Sequence, residues 1–387
     1  MRALVLPIVL VVGLASAWSL IGSSILGERI DSYQTFDRWF ESDIPQVYDN
    51  LTNLQSVHRT LRHPLFSLLF YPPVKVLSLL GVDHILSVRI LVAVLAGLWT
   101  AVFAFLVRRT TGSWSTAAPF LMLFLGSAFF LFWAPVAETF VAGSISLLLA
   151  LALVACQYSS PAASLGINIL TFGTTTTNWM GGLIAAASMH RWKVAAAIAV
   201  VTLTIGTAAA VAETSLMRND GMFFEAGKEA AWVTLTPAHV VHRWRAAFSH
   251  SLVIPEPVER TLAYPPDFVR TSMILSVEER PVHVAAVLWW FILGAGCYGL
   301  VSATGDQRYR VALGALVLGQ LALHSVFGVE TFVHSAHFGP LLLLVAAWSV
   351  HTKARRLVLA LAWTAGLVVT YHNARMFLIA AEMLKSV

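Results

Sequence analysis

Six acids and four arginines are crowded into residues 27–66 of an otherwise apolar chain: Glu28, Asp31, Asp37, Glu41, Asp43 and Asp49 with Arg29, Arg38, Arg59 and Arg62. A carboxylate in such a stretch can serve as a general base toward a hydroxyl or amine. On a helical turn His58, Arg59, Arg62 and His63 share one face. Such a cationic face suits a phosphate or pyrophosphate. A solvated loop with compensating charges would have the same composition, so spacing alone leaves both readings open.

Two further acids lie at the ends of apolar runs. Ala137-Glu138-Thr139-Phe140 and Val329-Glu330-Thr331-Phe332 share nearly one local sequence. Each glutamate is suited to cap the helix that follows, where the dipole favours a carboxylate. An ionisable group beside the membrane is also costly and a functional candidate. Glu330, His334 and His337 fall on one helical face or tight turn, yet Glu-x3-His-x2-His matches no recognised zinc pattern. No metal is therefore indicated. A basic patch, His239, His242, Arg243 and Arg245 around Trp244, could dock on anionic headgroups or hold a sugar or lipid phosphate. Pro255, Pro257, Pro265 and Pro266 predict an irregular stretch after it.

The elements that must position these groups follow from composition. The chain has 387 residues, 58% hydrophobic and 12% charged. Soluble domains carry about 25% charged residues, so a soluble enzyme, a coiled coil and a disordered protein are excluded. The net charge of +5 reflects membrane anchoring and gives no reason to expect nucleic-acid binding. Cys156 and Cys297 lie in apolar runs and are expected to be small core residues, with neither a disulfide framework nor a Cys-based metal site.

The sequence predicts a single all-α integral membrane domain over 1–387 with about eleven spans. The first resembles a signal peptide, but its apolar character continues to Leu26, so it reads as an uncleaved helix. Others cover about 84–107, 116–134, 139–157, 194–212, 284–303, 311–327, 338–350 and 357–371. Gly173, Thr174–Thr177, Asn178 and Gly181–Gly182 divide 164–189 into two short helices joined at Thr177–Met180. His63–Leu80 is expected to lie along the membrane surface, because Pro72–Pro73 would break a spanning helix. Ten basic residues then fall on one side against one acid, Asp306. The positive-inside rule makes that side cytoplasmic, with the N-terminus inside and loops 27–83 and 213–283 outside.

The long acidic outer loop, His63-Pro64 at the start of a surface helix, Gly81, Arg89, Arg108–Arg109 and Gly112 together resemble the GT-C superfamily of integral-membrane glycosyltransferases. The likeness is to bacterial members related to protein O-mannosyltransferases and lipid A aminoarabinose transferases. It covers residues 1–160 best. The family's acidic doublet is not clean here, and no large soluble domain follows the last apolar run. The resemblance implies a polyprenyl-phosphate-linked sugar donor and a glycan, lipid or protein acceptor in the cell envelope. It implies a bacterial inner-membrane location and no nucleotide or redox cofactor. It makes 27–83 the catalytic loop, with Asp43 as base, Asp49 as its substitute and Glu138 as the second-loop acid.

Such a transfer needs cations on the departing phosphate. The candidates are His58, Arg59, His63, Arg243 and Arg245, with Glu330, His334 and His337 as further substrate contacts. No Gly-rich phosphate loop follows a strand, so a nucleotide sugar is not expected. The alternative is a transporter or flippase of a lipid-linked or small polar substrate, since broken helices such as 164–189 are a transporter feature.

Overall fold

The computed structural model describes residues 2–56, 62–217, 240–241, 243–244, 246–264, 268–275, 284–326 and 331–386. It opens with an apolar helix, α1 (Arg2–Leu26), packed along α4 (His84–Thr111). Ser16 Oγ donates to Ala93 O at 2.9 Å and Arg89 Nη2 to Gly27 O at 3.0 Å, so the two helices run antiparallel. Both ends of α4 are written in its sequence. Asp83 accepts from the Ile85 and Leu86 N–H groups, and Gly112 closes the helix with φ +80°, a conformation glycine adopts without strain.

Between them lie α2 (Ile44–Thr52) and α3 (Phe66–Leu79). Here the structure corrects the sequence reading, because Pro72 and Pro73 sit inside α3 without ending it. Both rings are on its exposed side, where carbonyls deprived of an N–H partner can meet solvent or headgroups.

The chain continues through α5 (Trp114–Gly126), α6 (Ala128–Trp133) and α7 (Thr139–Ala155), then α8 (Pro161–Thr174), α9 (Trp179–Met189) and α10 (Trp192–Leu216). After these come α11 (Val284–Ser302), α12 (Gln307–Val326), α13 (Ser335–Ala347) and α14 (Arg355–Lys385). Among the described residues, seven helical segments are long and apolar enough to cross a membrane: Leu6–Leu26, α4, α10, α11, α12, Phe332–His351 and α14. The expected segments 116–134, 139–157 and 164–189 are helical but short. Their helices have 13 and 6, 17, and 14 and 11 residues, below the roughly 20 that a span needs.

Burial sorts these helices. The Phe332–His351 window is 94% buried and α7 is buried almost throughout, whereas the windows in α1 and α10 are 22% buried. An apolar helix with so little of itself covered by protein turns its surface to lipid. Cys297 on α11 and Cys156 after α7 are exposed free thiols, which corrects their expected place in the core. Cys297 shares its outward face with Tyr298, and Cys156 opens an exposed turn with Gln157 and Tyr158.

The structure is helical almost throughout, as expected, with one addition where an irregular stretch was expected around the prolines. Strands β1 (Pro257–Tyr264) and β2 (Phe268–Leu275) form an antiparallel hairpin, in register from Pro257↔Leu275 to Tyr264↔Phe268. Pro257 occupies the first strand position, where a missing N–H is tolerated. Pro265 and Pro266 lie outside the described residues.

This hairpin grips the first loop. Met273 N donates to Arg38 O at 2.8 Å, Ser272 Oγ to Asp37 O at 2.7 Å and Glu41 N to Ser272 Oγ at 3.1 Å. Arg38 pairs with Glu259 at 3.3 Å. Asp37, Phe40 and Glu41 all have positive φ (61°, 53° and 59°), a strain of about 1–3 kcal/mol each that persists only where surroundings enforce it. Trp39 and Phe40 supply the other anchor, packing on Phe132 at 5.6 Å each, with Phe40 on Phe332 at 5.2 Å. The chain just before Asp43 is therefore fixed from two sides.

Candidate functional site

Four connections meet at one end of the bundle. The first loop supplies Asp43, the chain before α3 supplies Arg62 and His63, the start of α7 supplies Glu138 and Thr139, and the α8–α9 turn supplies Thr175 and Asn178. Three backbone-mediated contacts lock the last two to the first two. Leu65 N donates to Gly173 O at 2.9 Å, Thr176 N to Arg62 O at 2.8 Å, and Asp43 N to Glu138 Oε1 at 2.7 Å.

Glu138 performs two tasks. Its Oε2 accepts from Thr139 N at 2.8 Å, capping α7, while Oε1 takes the Asp43 N–H. Asp43 precedes α2 without capping it by its side chain, so its carboxylate is not committed to its own helix. Burial pushes Asp43 above its ordinary value, opposed by the charge of Arg62. Burial, reinforced by the neighbouring Asp43, pushes Glu138 up to about 8, with the hydrogen bonds from Thr139 and Asp43 opposing it. Two buried carboxyls this close cannot both ionise cheaply, and around neutral pH the pair holds a proton.

His63 bridges the same elements. Its Nδ1 lies 2.7 Å from Thr174 O, and a carbonyl only accepts, so Nδ1 carries the proton. Nε2 is then the acceptor for the Thr139 hydroxyl at 3.3 Å. Burial, joined by the charge of Arg62, depresses the ring to about 4 against the contrary effect of the Thr174 hydrogen bond. His63 is neutral at physiological pH and brings no positive charge to a phosphate. Arg62 is the cation beside the carboxyl pair.

A second polar group adjoins the first. Phe140, two residues after Glu138, packs its ring 5.8 Å from His334 and 5.9 Å from His337. His324, from the last turn of α12, stacks on His334 at 4.5 Å. An added Cβ on Gly143 of α7 would lie 2.7 Å from His337 Nε2, 2.8 Å from Asn178 Nδ2 and 3.1 Å from Thr175 Oγ1. Only glycine leaves these three polar atoms a common space. Asn178 Oδ1 in turn accepts from Gln320 Nε2 at 3.1 Å.

The remaining expected residues lie apart from the carboxyl pair. Asp49, on α2, accepts from the side chain of Asn53 just past that helix, at 3.4 Å. Arg243 is buried and donates to Ser325 O at 2.9 Å, satisfying a carbonyl at the end of α12. His58, Arg59, His239, His242, Arg245 and Glu330 lie outside the described residues. Thr139, Thr175, Gln320 and His324 were not anticipated. The last two carried a signal: a glutamine and a histidine four apart in an apolar helix are costly there without a partner.

At the opposite end of the bundle, Arg109 makes a bidentate pair with Asp306 at 3.0 and 3.1 Å. His351 Nε2 donates to Thr110 O at 2.9 Å. The basic turns 108–109, 306–310 and 351–356 are thus neighbours, and far along α4 from the carboxyl pair.

No protein-family model matches the chain, and no match is found among curated proteins or solved structures.

Proposed function

We propose that the protein transfers a sugar from a polyprenyl-phosphate-linked donor to an envelope acceptor on the outer face of the bacterial inner membrane. The observation that carries this reading is the joining of Asp43 and Glu138 from separate elements by a 2.7 Å hydrogen bond, with Arg62 alongside. A carboxyl pair that holds one proton near neutrality offers a base for the acceptor hydroxyl or amine. A fixed cation beside it neutralises the departing phosphate. In this reading Asp43, nearer the arginine, is the ionised member and the base, and Glu138 keeps the proton. The eleven helical passes of the proposed topology put loops 27–83 and 213–283 outside, and the N-terminus in the cytoplasm. The grouping of basic turns at the end away from the site supports that orientation.

The test is product formation in detergent, with a polyprenyl-phosphate sugar and envelope extract. Asp43→Asn is expected to lose about 10²–10⁴-fold in rate, whereas Asp49→Asn stays near the parent. Full turnover by both Asp43→Asn and Glu138→Gln would end the transferase reading.

One observation favours a second reading, transport. The break between α8 and α9 brings Asn178 against Gln320 of α12, a polar crossing of the kind transporters place beside substrate. Product formed in detergent, where no gradient or sidedness exists, decides for the transferase.

A further inference from the structure

We propose that His324, His334 and His337 bind a divalent transition-metal ion of the class imidazole prefers, zinc foremost. One ring nitrogen from each lies within 4.8 Å of the other two. Tetrahedral zinc with bonds of ~2.1 Å needs nitrogens roughly 3.4 Å apart, so the rings of His324 and His334, stacked here with planes 20° apart, must turn out of that stack to converge on the ion. Two of the ligands lie at the start of α13 and the third in the last turn of α12, which makes the site a clasp between the two helices.

The surroundings are those of a ligating histidine. His324 Nε2 lies 3.2 Å from Gln320 Oε1, and Gln320 Nε2 donates to Asn178 Oδ1 at 3.1 Å. The amide oxygen accepts from His324, which leaves the lone pair on Nδ1. A metal-bound imidazole ordinarily gives its other N–H to such an oxygen, which fixes ring and tautomer. His324 Nδ1 is buried and has no hydrogen-bond partner, and neither has His337 Nε2 or Asn178 Nδ2. Leaving a buried polar atom unpaired costs about 1–3 kcal/mol; the two bare imidazole nitrogens can each take a metal, whereas the Asn178 amide N–H can only donate, to an anion held on that metal. His324 and His337 are 4% and 3% exposed, so they cannot be satisfied by bulk solvent.

Three neutral imidazoles leave both charges of the ion uncompensated, and Arg243 at the end of α12 adds another positive charge nearby. The fourth position therefore takes an anion, hydroxide or a phosphate oxygen. The metal proposal does not depend on glycosyl transfer, and its test uses no activity measurement.

Tag-free protein purified in detergent is analysed for metals by mass spectrometry, then stripped with chelator and titrated with Co²⁺. About one equivalent of zinc is expected, with the intense visible absorption of tetrahedral cobalt after titration. His324→Ala and His337→Ala should abolish that absorption, and His190→Ala, remote from the cluster, should retain it. Gln320→Ala, which removes the orienting oxygen and the donor to Asn178 but leaves all three ligands, should weaken cobalt binding about 10–100-fold and serves if the histidine variants aggregate. A parent protein that gives no cobalt absorption overturns the proposal. So does unchanged cobalt affinity in the Gln320→Ala or the doubly substituted histidine protein.

Discussion

The peptide N–H of Asp43 on the Glu138 carboxylate makes two acids, 95 residues apart, a single titrating unit. Its behaviour with pH has a definite sign. Glu138 is raised to about 8 from 4.5 in the folded protein. Below about 4.5 both folded and unfolded chains are protonated there, and the stabilisation is complete. Between 4.5 and 8 the unfolded chain ionises first, so stability falls as pH rises. Thermal unfolding in detergent should show this decline in the parent, and Glu138→Gln should flatten it. A Gln variant with the parent's slope over that window would contradict the assignment. The acids themselves were visible in the sequence, as was the helix-end position of Glu138. Their pairing was not, because nothing in local spacing says which loop carboxylate folds back onto which helix.

At the scale of elements, the divided stretch 164–189 was legible and the crossings were not. Thr175 is extended, with φ −159° and ψ 119°, and the break falls at 175–178, about two residues before the expected Thr177–Met180, because Trp179 and Met180 already belong to α9. Helix contact is decided by small residues. An added Cβ on Gly299 of α11 would collide with the Trp348 carbonyl and on Gly296 with the Val345 carbonyl, whereas Gly294 on the same helix faces open space. Without a hydrophobic drive between helices in lipid, such backbone approach is what holds them. Gly299→Val is therefore expected to cost about 1–3 kcal/mol by overpacking and to lower the unfolding temperature. Gly294→Val should leave it in place. Equal midpoints for the two variants would show that α11 does not lean on this contact.

For the whole molecule, the arrangement of ends makes sidedness testable. In a background lacking Cys156 and Cys297, cysteines at the exposed positions Gln55 and Thr261 should react with an impermeant maleimide from one side of the membrane. A cysteine at the exposed Lys353 should react only from the other. Labelling of Gln55 and Thr261 from opposite sides would break the topology. Composition and hydropathy by themselves determined that the chain carries helices suited to a bilayer, which segments of it are polar and that 164–189 is interrupted. Burying long apolar runs is a one-dimensional problem, so it can be read from local windows. The β1–β2 hairpin, the passage of α3 through Pro72–Pro73, the exposure of both cysteines and the meeting of His324 with His334 and His337 were decided only by tertiary structure. Each depends on which face of an element meets a partner distant in sequence. In a chain this uniformly apolar, hydrophobic periodicity is too weak to mark that face.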